Sequence, residues 1–276
     1  LLLHEQEFYR YWLRYYNENF EARFGLQKIV FGTSQLLRTL SWFDSIDPMD
    51  PIGQTSGVKA LRLRWFPMHN LSSWNWIIAS KDDTLSYGGR IEFSNTIGEW
   101  GFTYHTDPSK SIKSISSINT SVLGSDSRFA IDYRFDGLIG LWNESALIQS
   151  NRSKVVTMTL GADYTLPIST GLLLTVEYMS MQNQFDYATR DSKFLALMAS
   201  IPLGITHQIM MVSQMNIGEE KLYHFLRWSS TYNYYSLNFI CTIYPKRSSY
   251  QYHDQFLHQS LAGFGTGLQI MFIYNH

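Results

Sequence analysis

The sequence predicts an all-β protein: a single antiparallel transmembrane β-barrel over residues 1–276, of about sixteen strands, about fifteen of them visible. Three observations predict it. Apolar and polar residues alternate with period two along most of the chain, so each segment has one apolar and one polar face. The segments are roughly ten residues long, the length a tilted strand needs to cross a bilayer. Their connections alternate between short and long, as in barrels whose tight turns face the periplasm and whose loops face outward.

The elements follow in order. In the strand near 8–17, Tyr9, Tyr11, Leu13 and Tyr15 oppose Arg10 and Arg14. Strands follow at 20–31, 58–66 and 87–94, with one more between the connections 67–72 and 82–85. At 98–105, Trp100, Phe102 and Tyr104 oppose Glu99, Thr103 and His105; at 127–135, Phe129, Ile131, Tyr133 and Phe135 oppose Arg128, Ala130, Asp132 and Arg134. In 155–164, Val156, Met158, Leu160, Ala162 and Tyr164 oppose Thr157, Thr159, Gly161 and Asp163. Segments 172–178, 194–201, 236–243 and 265–274 alternate well, whereas 139–150, 205–217 and 222–232 do so less cleanly. The connections 17–19, 67–72, 95–98, 136–138, 167–171, 202–204 and 232–234 are short. On the other side lie 33–56, 82–85, 107–126, 151–153, 182–193, 218–221 and 246–264, four of which exceed ten residues. The first and last visible strands both run inward. An antiparallel barrel closes only with an even count, so an outward strand is expected ahead of Leu1, where "LLLHEQEF" begins without an initiator Met.

Composition agrees. Charged residues are 16% of the chain, against roughly a quarter in soluble domains. Aromatics also reach 16%, and Trp65, Trp74, Trp100, Trp142 and Trp228 are expected near strand ends, where interfacial girdles sit. The polar face carries Glu21, Arg23, Arg62, Arg64, Arg90, Glu92, Asp132, Arg134, Asp163 and Glu177, which suit a wet lumen better than a packed core. A net charge of −1 supplies no field to recruit nucleic acid. Polar residues break the apolar runs too often for transmembrane helices. The single Cys241 forms no internal disulfide, no Cys/His spacing suggests zinc, and neither a metal nor a cofactor is expected.

An enzyme is not expected either. "GFGTG" at 263–267 is neither G-x-S-x-G nor a phosphate loop, and eases a bend into the last strand. His105 and His207 are the histidines a wall-embedded hydrolase would use; lumen or rim histidines account for them more simply.

Residues 20–65 carry a motif. "FEARFGLQKIVFG" is followed by "WFDSIDPMDP" and then "TSGVKALRLRW", with Arg23, Gly25, Gln27, Gly32, Asp47, Pro48, Asp50, Pro51, Gly57, Val58, Arg62 and Arg64 as the key positions. This resembles the front of porin-like outer-membrane barrels, including the alginate-export type and uncharacterised Bacteroidota barrels. The resemblance covers about a sixth of the chain and implies an outer-membrane barrel with a channel or export role and no cofactor. The C-terminal "MFIYNH" departs from the terminal Phe common in proteobacterial barrels.

The expected location is the bacterial outer membrane, with lipid around the wall. Arg10, Arg14, Arg23, Arg62 and Arg64 fall on one lumen wall, so the expected function is a passive channel for small polar solutes, with a mild preference for anions. In the alternative, those arginines pair with Glu21, Glu92, Glu99 and Asp44 and brace the wall. Asp44, Asp47 and Asp50 lie in the long loop after the second strand. They are read as a rigid, Asp-Pro-stiffened loop folding into the mouth opposite Arg38, Arg62 and Arg64, rather than as a calcium site, because an EF-hand's odd-position spacing and central Gly are missing. The alternative function is a structural or assembly subunit, a barrel with a plugged lumen that holds protein partners in an outer-membrane complex.

Overall fold

The computed structural model describes residues 10–44, 46, 49–51, 53, 55, 57–80, 82–115, 120–186, 188–244 and 266–274. Among these there are seventeen strands and no helix. They are β1 (Tyr11–Tyr16), β2 (Phe20–Gln27), β3 (Val58–Met68), β4 (Leu71–Ala79), β5 (Leu85–Asn95), β6 (Gly98–Asp107), β7 (Ile112–Ile115), β8 (Thr120–Leu123) and β9 (Asp126–Asp136), followed by β10 (Gly140–Ser150), β11 (Ser153–Leu166), β12 (Leu172–Phe185), β13 (Ala188–Leu203), β14 (His207–Asn216), β15 (Lys221–Thr231), β16 (Tyr235–Ile243) and β17 (Gly267–Tyr274). Fifteen of them form one antiparallel sheet in chain order. The order is broken only where β6 pairs with β9 past the separate hairpin β7–β8. Neighbours in sequence are thus neighbours in space, the simplest way to lay down a large antiparallel sheet.

The edge strands β1 and β17 run in the same direction, and no pairing joins them among the described residues. The sheet is barrel-like but not closed there. The sixteenth strand expected ahead of Leu1 lies outside the described residues.

Polarity is inverted relative to a soluble fold. In β11, Val155, Thr157 and Thr159 are 1%, 1% and 0% exposed, while Val156, Met158 and Leu160 are 39%, 38% and 45% exposed. Thr sides face in and the larger apolar groups face out. Leu61, Ile77, Ile91, Phe102, Phe129, Leu141 and Phe239 are likewise exposed, whereas Glu21, Arg62, Arg90, Asp132, Glu144 and Glu177 are buried. Soluble domains almost never bury so many charges or expose so continuous an apolar wall.

The structure corrects three details. Trp74 and Trp142 do not belong to an outward girdle: they are buried on the inner face, because β4 and β10 carry them at the same alternation phase as Trp76 and Glu144. Trp65 and Trp228 do face outward. The connection expected at 182–193 is not a long loop, since β12 and β13 pair from Leu173↔Ser200 through Phe185↔Ala188, extending the hairpin by several residues. Finally, the strand expected at 20–31 leaves the sheet after Gln27.

Candidate functional site

The departure after Gln27 creates the central feature of the molecule. In the phase of β2, Phe24 and Leu26 share the outward face, so extending the strand would aim Lys28 into the apolar wall. The ladder instead ends with the buried Gln27, whose amide donates to Ala60 O at 2.8 Å. Ile29 and Phe31 then turn inside and are 0% and 5% exposed.

Residues 28–44 continue through the interior and pack against most of the wall. Ile29, Phe31, Leu40 and Trp42 join Ala60 of β3, Trp74, Trp76 and Ile78 of β4, Val122 of β8, Ala146 and Ile148 of β10, Val155 of β11 and Met181 of β12 in one solvent-excluded cluster. Leu37 packs with Met179 of β12 and with Phe194 and Ala196 of β13. Further along, Met49 packs with Met210 and Val212 of β14, Phe225 of β15 and Ile240 of β16. One segment therefore touches inner faces from β3 round to β16. Aromatic contacts reinforce it: Phe31 stacks on Trp76 at 5.7 Å, and Phe43 meets the His105 ring edge-on at 4.9 Å.

The backbone of this segment has no ladder of its own, and buried N–H groups must find acceptors. Two wall carboxylates supply them. Glu144 of β10 accepts from Thr33 N at 2.5 Å and Ser34 N at 2.7 Å through Oε1, and from Leu40 N at 3.1 Å through Oε2. Glu177 of β12 accepts from Gln35 N at 2.6 Å and Trp142 Nε1 at 3.1 Å through Oε1, and from Leu36 N at 3.0 Å and Leu37 N at 2.5 Å through Oε2. Both carboxylates are fully buried. Charge-assisted bonds of this kind are stronger than neutral ones. Thr159 extends the seat by donating to Leu37 O at 2.9 Å and bonding the Thr39 hydroxyl at 2.9 Å. Gly32, at φ +98°, permits the close approach: a Cβ there would collide with Glu144 Oε1.

The arginines form a second constellation. Arg14, Arg23 and Arg62 face one another across β1, β2 and β3, since Arg14 pairs with Arg23 and Arg23 with Arg62 in register. Like charges directly opposite repel. Glu21 offsets this by meeting all three, at 2.6 Å from Arg14, 2.9 Å from Arg23 and 2.7 Å from Arg62. Arg64 lies over the Trp74 ring at 4.0 Å and reaches Glu92 at 3.7 Å. Arg90 binds Asp132 through two bonds and Glu92 through a third. A cavity of about 460 Å³ opens beside this network near the β3–β4 turn, with Thr33, Arg64, Ser72, Arg90, Glu92 and Asp132 in its wall.

The structure brings together only part of the expected site. Arg14, Arg23, Arg62 and Arg64 share the inner face of β1–β3, with partners on the wall. Arg10 donates to Thr55 O at 2.6 Å, tying β1 to the chain that leads into β3. Asp44 pairs within the inward segment, with Arg38 and with the Ser41 hydroxyl, so it does not stand opposite Arg62 or Arg64. Asp47 lies outside the described residues, and Asp50 is half-buried among the residues leading to β3. His105 is buried, with Nδ1 accepting from Trp76 Nε1 at 3.2 Å. No cluster of metal-ligating side chains occurs among the described residues.

Sequence reasoning missed Glu144 as a structural anchor. Its signal was a lone acid in the weakly alternating "GLWNESALIQS" of β10. Glu177 was placed on the polar face, but its partners, being backbone N–H groups of a distant loop, leave no trace in side-chain pattern.

No protein-family model and no curated protein matches the chain.

Proposed function

We propose that this protein is a bacterial outer-membrane β-barrel whose lumen is closed by residues 28–44, and that it serves as a structural subunit holding protein partners in an outer-membrane complex. The observation that carries this reading is the inward segment itself. Its apolar side chains bridge inner faces from β3 to β13, Leu36 and the following Met49 carry the contact on to β16, and two buried carboxylates accept from its backbone N–H groups at 33–37 and 40. A diffusion pore needs a continuous wet path, and a solvent-excluded cluster across the interior opposes one. The outward apolar wall supports lipid as the surrounding medium, and the porin-like motif at 20–65 supports an outer-membrane lineage.

A second reading, the channel for small polar and anionic solutes, draws on the charged cavity beside Arg64 and Arg90 and on the Arg14–Arg23–Arg62 row. Planar-bilayer recording of the purified, folded protein separates the two. The closed-lumen reading expects no steady conductance above the bare membrane. Reproducible ohmic steps with anion selectivity would favour the channel.

A further inference from the structure

We propose that the Glu144 carboxylate is a proton-operated latch on the inward segment. This rests on the reading of residues 28–44 as the closure of the lumen. The seat has two unequal halves. Glu177 receives three consecutive backbone N–H groups and the Trp142 indole, a wall group that holds the carboxylate whether or not the segment is present. Glu144 receives only segment groups, Thr33 and Ser34 at one oxygen and Leu40 at the other. It therefore staples the two ends of one bend, 33–34 and 40, to a single side chain.

An ionised carboxylate is an acceptor at both oxygens. Protonation turns one oxygen into a donor and sets an O–H against an N–H that has no other acceptor. One end of the staple is then lost, and a buried N–H is left unpaired.

The charged surroundings bear on the latch from each side. On the segment, Arg38 acts on Glu144 but is itself paired with Asp44. On β9, Asp132 faces it as a like charge and is held in turn by Arg90 of β5. On β12 sits Glu177, and on β11 Asp163, which accepts from the Gln35 amide at 3.3 Å and lies 3.8 Å from Arg134 of β9. No cation among the described residues forms an ion pair with Glu144, so the segment's N–H groups are its principal partners. The linkage has one sign. Above the titration range the carboxylate is intact and the segment is seated; below it the Glu144 staple at 33–34 and 40 is released, while Glu177 still holds 35–37 and the strand ladders, which use no side-chain charge, remain.

The test is hydrogen–deuterium exchange of the folded protein in detergent micelles between pH 7.5 and 4.5, corrected for intrinsic exchange. The latch expects the amides of Thr33, Ser34 and Leu40 to lose protection by tenfold or more as pH falls, with the ladders of β10–β12 unchanged. Glu144→Gln should expose the same amides already at pH 7.5 and abolish the pH dependence. If that variant does not fold, the wild-type titration stands by itself. Constant protection of Thr33, Ser34 and Leu40 across the range, or loss spread equally over the ladders, would overturn the latch. Either result is separable from failure of the closed-lumen reading, which would appear as steady wild-type conductance at pH 7.5.

Discussion

Replacing Glu177 by Gln probes the stronger half of the seat. The carboxylate accepts Gln35 N and Trp142 Nε1 at one oxygen, and Leu36 N and Leu37 N at the other. Glutamine keeps the shape but offers one acceptor oxygen, and its NH2 group must face a pair of N–H donors. With the amide oxygen toward Gln35 and Trp142, the Leu36 and Leu37 N–H groups are left buried and unpaired. At about 1–3 kcal/mol for each orphaned donor, the free energy of opening the segment falls by about 2–6 kcal/mol. The lower end corresponds to a roughly 30-fold rise in exchange rate at these amides. Hydrogen exchange with mass spectrometry, comparing 35–37 with the β11 and β13 ladders, reads the effect directly. A change under about twofold at 35–37 would refute the reasoning, because it would mean that these N–H groups do not depend on Glu177. An equal rise in all strands would refute it too, since the segment would then open only with the whole sheet.

Three other outcomes are expected. Gly32→Ala adds a Cβ against Glu144 Oε1 at a left-handed φ, and should lower the urea midpoint by an amount equivalent to about 1–3 kcal/mol, with the loss of protection centred on 33–40. Arg90→Met strips both oxygens of buried Asp132 of their donor and should cost about 3–5 kcal/mol in detergent-based urea unfolding, whereas Arg90→Met with Asp132→Leu should recover most of the loss. The Ser109 hydroxyl and the N–H groups of Ser111 and Lys110, between β6 and β7, hold the carboxyl of Asp82, in the loop between β4 and β5, below its ordinary value. Its anchoring of residues 109–111 is thus fully present above the ordinary carboxylate range and is lost as pH falls through the depressed value. Amide exchange at Lys110 and Ser111 should follow that course, and Asp82→Asn should remove the acid-dependent step.

The wall was legible because a strand with one inward and one outward face repeats a two-residue code. β9 and β11 show it cleanly: Arg128, Asp132 and Arg134 against Phe129, Ile131 and Phe135 in one, Thr157 and Thr159 against Val156 and Met158 in the other. The arginine wall was legible for the same reason, and the pairing of Arg14, Arg23 and Arg62 with Glu21 is the bracing alternative that the charge pattern allowed. Strand ends were less visible, because β12 and β13 continue pairing through polar residues such as Gln182, Asn183 and Arg190, where the apolar alternation lapses. The inward segment was the hardest to see. Ile29, Phe31, Leu37, Leu40 and Trp42 follow neither a helical nor a strand period, because each meets a different part of a curved wall. The polar groups it presents to Glu144 and Glu177 are backbone N–H groups, invisible to any reading of side chains. In the Asp-Pro stretch, Asp44 serves the segment's own Arg38 rather than a field across the mouth.

The most direct test of the central claim, an apolar wall facing lipid around an interior closed by residues 28–44, is a nitroxide scan through residues 155–160 of β11 in reconstituted bilayers. Labels at 156, 158 and 160 should be relaxed by oxygen dissolved in lipid, and labels at 155, 157 and 159 by neither oxygen nor a water-soluble nickel chelate. Strong nickel relaxation at the inward positions would mean a water-filled lumen, and the absence of alternation would mean that the wall does not face lipid at all.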